Sequence, residues 1–107
     1  MTVYVDNARI PARVGRTSGR WSHLTADTVD ELNAFAAELG LLPGWFQTCK
    51  RKCHSTLPCV HWHYDVTDKY RSAAIELGAQ PIDIREMGAL TTARRAALSA
   101  RPKGPTP

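Results

Sequence analysis

No apolar run in the 107-residue chain approaches the roughly 20 residues that a bilayer-spanning helix requires, so no membrane span is expected. The opening string MTVYVDNARIP lacks a basic segment leading into an apolar one, and no secretion signal is expected there. The thiols are therefore expected in a reducing cytoplasm. Cysteine is scarce: there are three, and under reducing conditions three thiols point to metal before disulfide. The two well-separated Cys-x2-Cys pairs of a zinc ribbon are missing as well.

Acidic side chains are nearly absent from three stretches that hold most of the basic ones. Arg9, Arg13, Arg16 and Arg20 have only Asp6 nearby, Lys50, Arg51 and Lys52 lie between two cysteines, and Arg94, Arg95, Arg101 and Lys103 end the chain. The net charge is only +4, but this segregation would attract phosphate-bearing partners, nucleic acid among them. The plainer alternative is that basic loops keep a small protein in solution. A hydrophobic content of 43% and a charged content of 22% suit one globular domain, expected over residues 1–100, with the basic, proline-rich residues 101–107 a disordered tail.

Residues 2–6, TVYVD, alternate β-branched and aromatic side chains and predict a strand with Asp6 at its tip, where open α/β proteins place metal or phosphate ligands. Residues 8–26, punctuated by Pro11, Gly15 and Gly19, are expected to form a long irregular arginine-rich loop. Thr28 and Glu31 have the spacing of a capping box, and the stripe Val29, Leu32, Phe35, Ala36, Leu39 predicts a helix closed by Gly40. A second helix is expected from near Asp65 or Thr67, with Tyr70, Ala73, Ala74 and Leu77 inward, to Gly78. Both helices end in Glu-Leu-Gly, with Pro43 and Pro81 three residues on, then short strand candidates at Trp45-Phe46 and residues 82–84. Residues 85–100 read as a helix interrupted by Gly88. The expected fold is a small single α/β domain with a short mixed or parallel sheet, two main helices, a C-terminal helix and a zinc-stapled loop.

Reactive side chains concentrate in residues 49–66, CKRKCHSTLPCVHWHYDV. Cys49, Cys53, Cys59 and His61 place four tetrahedral-zinc ligands within thirteen residues, an insert over residues 48–63, with His54 or His63 as alternative fourth ligands. Lys50, Arg51 and Lys52 would offset thiolate charge. In residues 60–66, strand alternation would turn Val60, Trp62, Tyr64 and Val66 to one side and His61, His63 and Asp65 to the other. An imidazole beside a carboxylate can serve as a general base or as two ligands of a second metal; the structural alternative has Asp65 capping the next helix and His63 satisfying a buried carbonyl. His23 could converge with His63, and Arg71 or Arg85 nearby would then suit phosphodiester chemistry, with one imidazole as base, one as acid and a guanidinium on the developing charge. A packed histidine is the plainer role for His23. Arg13, Arg16 and Arg20 join Arg71 and Arg85 as candidate phosphate contacts. Trp21, Trp45 and Trp62 read as core or rim anchors, though exposed aromatics beside arginines can stack bases.

The segments TVYVDNARIPARVGR, RWSHLTADT, ELNAFAAELGL and WHYDVTDKYR, with the Gly-Ala-x-Pro turn leading to Ile-Arg-Glu, resemble a small bacterial and phage family known as domain of unknown function 4031, over roughly residues 1–90. The family commonly has histidine where this chain has Asn33. The cysteine-rich insert is similar to versions carried by phages of actinobacteria, with many relatives lacking it. The resemblance thus implies that zinc is an added staple and that the shared polar set is Asp6, His23, His63, Asp65 and Arg85. It implies no activity.

Two functions from different classes follow. One is a zinc-stabilised binding protein whose basic loops engage nucleic acid or another phosphate-rich partner, the reading favoured here. The other is a hydrolase or nuclease using His63 and His23, with Asp65 orienting or ligating. If the chain is phage-encoded, it would act in the host cytoplasm, and inhibition of a host protein is a third expectation.

Overall fold

Val3 and Val5 carry their side chains to one side and Tyr4 to the other, and this alternation forms the first strand β1, Val3–Val5. The computed structural model of the chain describes residues 2–48 and 59–100. The other elements are β2 (Ile10–Val14), β3 (Thr17–Ala26), α1 (Val29–Leu39), a 3-10 turn at Pro43–Trp45, β4 (Phe46–Gln47), β5 (His63–Thr67), α2 (Asp68–Leu77), β6 (Gln80–Pro81) and α3 (Ile84–Ala100). The described residues form a six-stranded sheet in the order β4-β5-β3-β1-β6, with β2 added to β3. Only the β1–β6 pairing is parallel, so the sheet is mixed. No described helix is long and apolar enough to cross a membrane.

The arginine-rich stretch expected to be an irregular loop is instead a β-hairpin turning at Gly15, β2 against the first half of β3. The cue for a hairpin was hidden by Pro11, which an edge strand tolerates because its missing N–H faces solvent. β1 and β2 share one edge of β3 and are separated by a bulge. Asp6 is bonded to His23 and Ile10 pairs with Trp21, so Asn7, Ala8 and Arg9 stand opposite Ser22 alone. Arg9 has a φ of 46°, and its N–H donates to Ser22 Oγ at 3.1 Å. Bulges re-aim side chains, and this one lies beside the cluster described below.

α1 begins as expected, with Glu31 N–H donating to Thr28 Oγ1 at 3.1 Å. The repeated Glu-Leu-Gly has a backbone reason: Gly40 and Gly78 sit at φ 93° and 118°, the left-handed conformation that ends α1 and α2. Leu32 and Ala36 of α1 and Ala74 of α2 bury against Val5, Leu24, Tyr64 and Val66 of the sheet. Tyr64 also donates its hydroxyl to Asn33 Oδ1 at 2.8 Å, on an exposed helix position. Tyr64→Phe is therefore expected to cost only about 1 kcal/mol in urea unfolding, since the freed Asn33 oxygen turns to water.

The second strand lies two residues ahead of the expected run. Gln80–Pro81 pairs with β1, whereas Asp83 and Glu86 exchange backbone-to-side-chain bonds at 2.8 and 3.1 Å, a capping box that makes Ile84 the first residue of α3. Gly88 does not interrupt that helix. Likewise Pro43–Trp45 is a 3-10 turn, and β5 starts only at His63. α3 lies on the sheet face opposite α1 and α2, where Arg94 reaches Thr25, Ala26 and Val60.

Candidate functional site

Asp6, His23 and Asp65 form one row across β1, β3 and β5, because Asp6 N–H donates to the His23 carbonyl and His23 pairs with Asp65. His63 precedes Asp65 by two residues on β5 and so shares its face. The row is thus a product of strand register.

The bulge after Asp6 changes how this row is bonded. A hydrogen-bonded antiparallel pair normally exchanges both N–H···O bonds. Here the Asp6 carbonyl instead accepts Arg71 Nε at 2.8 Å, and the Asp6 side chain takes the His23 N–H at Oδ1, 2.9 Å away. Oδ1 also accepts Ala8 N–H at 3.1 Å, and Oδ2 lies 2.7 Å from His23 Nδ1. Asp6 is only 1% exposed. Burial alone would raise its pKa, but the bonds from the His23 ring and from the two amides outweigh it and hold the carboxyl below its ordinary value. The bond to Asp6 in turn raises the His23 pKa against the opposing effect of burial. A carboxylate can only accept, so His23 Nδ1 carries the proton and Nε2 points away from Asp6.

His63 is oriented in the same sense by a different partner. Its Nδ1 lies 2.7 Å from the His61 carbonyl, which also only accepts, and its Nε2 lies 3.1 Å from Asp65 Oδ1. Asp65 Oδ2 accepts Gln47 Nε2 at 2.7 Å. Burial would raise the Asp65 pKa, but its contacts with His63 and Gln47 and the neighbouring His23 charge lower it overall. His23 Nε2 is 4.0 Å from the same Oδ1, and the two rings meet edge to face with centroids 5.1 Å apart. The three inward atoms all lie within 4.8 Å of one another, which makes His23, His63 and Asp65 the described residues able to share a metal ion. Their side chains remain 33%, 22% and 30% exposed, so the cluster is open on one side.

Two hollows adjoin it. His23 and His63 line one of about 220 Å3 beneath Met87 and Thr91 of α3. Asp65 and Gln47 lie in the wall of a larger cleft of about 610 Å3, otherwise lined by Trp21, Trp45, Tyr70 and Lys69 among others. Trp21 is pinned by its Nε1 donating to the Ala12 carbonyl at 3.0 Å, while Trp45 is 45% exposed at the mouth.

The expected convergence of His23, His63 and Asp65 is present, and Asp6 stands behind it. Arg71 touches the Asp6 backbone rather than either imidazole. Arg85 is exposed in the first turn of α3. Arg13, Arg16 and Arg20 are exposed on the hairpin arm, Arg13 donating to the Gly15 carbonyl at 3.2 Å. Of the expected zinc ligands, Cys49 and Cys53, like the alternative His54, lie outside the described residues; Cys59 Sγ accepts the His61 N–H at 3.3 Å. Burial, helped by Arg95, His63 and Arg94, lowers the His61 pKa. Gln47 was not foreseen, because nothing in its local sequence marks it as the partner of a carboxylate eighteen residues on.

A family profile described as "Protein of unknown function (DUF4031)" matches residues 3–94. No curated protein matches the chain. No solved structure matches it.

Proposed function

Since the chain belongs to the DUF4031 family, whose description carries no activity, we propose on geometry alone that it hydrolyses phosphodiester bonds of single-stranded nucleic acid at His23, His63 and Asp65. The observation that carries this reading is the convergence of two imidazole nitrogens and one carboxylate oxygen within 4.8 Å, beside an aromatic-walled cleft. A water at that point gives up a proton, to one of these groups or to bulk water, as its oxygen attacks phosphorus; the bond from phosphorus to the leaving sugar oxygen breaks, and that oxygen takes up a proton in turn. Bases have planar faces to offer Trp21 and Trp45, a contact that tolerates any sequence. Lys69 at the cleft and the hairpin arginines supply charge for the backbone.

The test is cleavage of a labelled single-stranded oligonucleotide and of bis(p-nitrophenyl) phosphate, with and without added divalent cations. His63→Ala is expected to lower the rate at least about 100-fold while the far-ultraviolet spectrum is kept. A wild-type chain that cleaves neither substrate in any of these conditions would retire the reading.

The exposed hairpin favours a second reading, binding without turnover, because Arg13, Arg16 and Arg20 project from an arm whose β2 strand is exposed throughout. It expects oligonucleotide affinity to fall steeply with salt and to survive His63→Ala. A zinc staple by Cys49, Cys53, Cys59 and His61 is compatible with either reading.

A further inference from the structure

We infer that His23 Nε2, His63 Nε2 and the Asp65 carboxylate bind one divalent transition-metal ion, of the zinc or iron kind, leaving open positions for water. The inference deepens the hydrolytic reading and rests on the same centre, but its readout is the ion itself.

Proton bookkeeping at the two rings leads to it. A neutral imidazole has one N–H, and each ring has already directed it to a partner that can only accept: His23 Nδ1 to Asp6 Oδ2 at 2.7 Å, His63 Nδ1 to the His61 carbonyl at 2.7 Å. Both Nε2 atoms are then bare lone pairs. They face the same anionic oxygen, Asp65 Oδ1, at 4.0 and 3.1 Å. Three acceptors turned toward one another repel unless positive charge stands among them. Protons on both rings would meet Asp65 but set two cationic rings against each other with centroids 5.1 Å apart, whereas one metal ion satisfies all three acceptors at once.

The distances and the outer contacts fit such an ion. Ligands about 2.1 Å from a metal lie about 3.0–3.5 Å from each other in octahedral or tetrahedral arrangements. The 3.1 Å edge is within that range, the 4.0 Å edge is slightly open and no edge exceeds 4.8 Å, so side-chain rotation closes the set. Every ligand is also held from behind: His23 by buried Asp6, His63 by a backbone carbonyl, and Asp65 by Gln47. Metal-binding histidines characteristically donate their other N–H to a carboxylate or a carbonyl, which fixes the tautomer and raises ligand basicity. Asp6 and Asp65 together balance a 2+ charge. Two imidazoles favour zinc or iron over magnesium or calcium, which prefer all-oxygen sites. The side chains' partial exposure leaves the ion open to solvent, the mark of a reactive rather than a purely structural site. A bound ion lowers the pKa of its water, which is the step the hydrolytic reading needs.

The experiment titrates the full chain with Co2+ and Zn2+, in a Cys49/Cys53/Cys59→Ser background so that thiolates do not compete. One ion per chain is expected, with affinity reduced at least about 100-fold in His63→Ala and in Asp65→Asn, and about 10- to 100-fold in Asp6→Asn, which alters only the outer contact. If the serine background does not fold, the native chain is used: thiolate-bound Co2+ shows intense charge-transfer bands, nitrogen- and oxygen-bound Co2+ only weak visible ones, and the weak bands must vanish with Asp65→Asn. No ion in the folded serine variant, weak bands absent from the native chain, or unchanged affinity in both ligand variants, overturns the inference. A chain that binds the ion but cuts no phosphodiester retires the hydrolytic reading and leaves the metal centre standing. Cleavage that persists after exhaustive chelation leaves the hydrolytic reading standing without the ion, whose binding is judged by the titration alone.

Discussion

Asp6→Ala is expected to lower the unfolding free energy of the metal-free chain by about 2–4 kcal/mol, read by urea denaturation. The change removes one carboxylate that accepts three donors: the amides of Ala8 and His23 and the His23 ring. Two of these are backbone groups beside a strand bulge, with no ladder partner to fall back on. Against a total stability of about 5–15 kcal/mol for a small domain the loss is severe. Asp6→Asn retains an acceptor at one position and should cost distinctly less. A loss within about 0.5 kcal/mol for the alanine variant, the range of an ordinary surface change, would mean that Asp6 does not organise this end of the sheet.

The pH dependence has a definite sign. The folded Asp6 pKa is below its ordinary 3.8, so its contribution is full above that value and is lost as pH falls through the lowered one. The folded His23 pKa is above 6.5, so its contribution is full below 6.5 and is lost as pH rises through the raised one. The pair therefore stabilises the metal-free chain most between those two ordinary values.

Much of this was legible in the chain because it depended on local signals. The Thr28 cap, the two Glu-Leu-Gly stops and the two-residue spacing of His63 and Asp65 each follow from backbone geometry within a few residues. What stayed hidden is set by register between distant segments. That His23 stands opposite Asp65 requires β3 to pair with β5 in one alignment out of several, and that Asp6 turns beneath His23 requires a bulge whose residues, Asn7 to Arg9, carry no glycine. The hairpin is illegible locally for a related reason: Pro11 and the run of arginines resemble a loop by composition, while its true cue is pairing with a β3 strand whose inner half is buried. Charge was similarly misleading. Arginines adjacent in sequence have separate fates, since Arg9 is spent on Asp68 in a bidentate pair at 3.0 and 2.8 Å, while Arg13, Arg16 and Arg20 stay exposed.

Arg94 shows the same point with the larger energetic consequence. By composition it belongs to a basic C-terminal cluster, yet its guanidinium stacks 3.7 Å from the Trp62 ring, with Nη1 donating to the Val60 carbonyl at 3.0 Å and Nη2 to Thr25 Oγ1 and the Ala26 carbonyl at 2.8 and 2.6 Å. Burial depresses its pKa, although Asp27 and Tyr4 oppose the shift. Met87, Thr91 and Arg94 are the α3 residues over the histidine-lined hollow, and Arg94 ties that helix to β3 at Thr25 and Ala26 and to Val60 ahead of β5. Arg94→Ala is accordingly expected to cost about 2–4 kcal/mol, from charge-assisted hydrogen bonds worth about 1.5–3 kcal/mol each and a stacked cation, less the solvation that the buried charge regains. Arg94→Lys keeps the charge but cannot reach three acceptors from one plane, and should recover only part of the loss. Hydrogen exchange localises the effect: α3 amides should exchange faster in Arg94→Ala while those of α1 keep their protection. The same variant separates structure from recognition, because a guanidinium already spent on the fold has none left for phosphate. The salt dependence of oligonucleotide binding should thus keep its slope in Arg94→Ala and flatten by about one unit for each of Arg13, Arg16 and Arg20 that meets the backbone when it is replaced by alanine. A slope that flattened with Arg94 instead would return the basic cluster to the surface and place the nucleic-acid contact on α3.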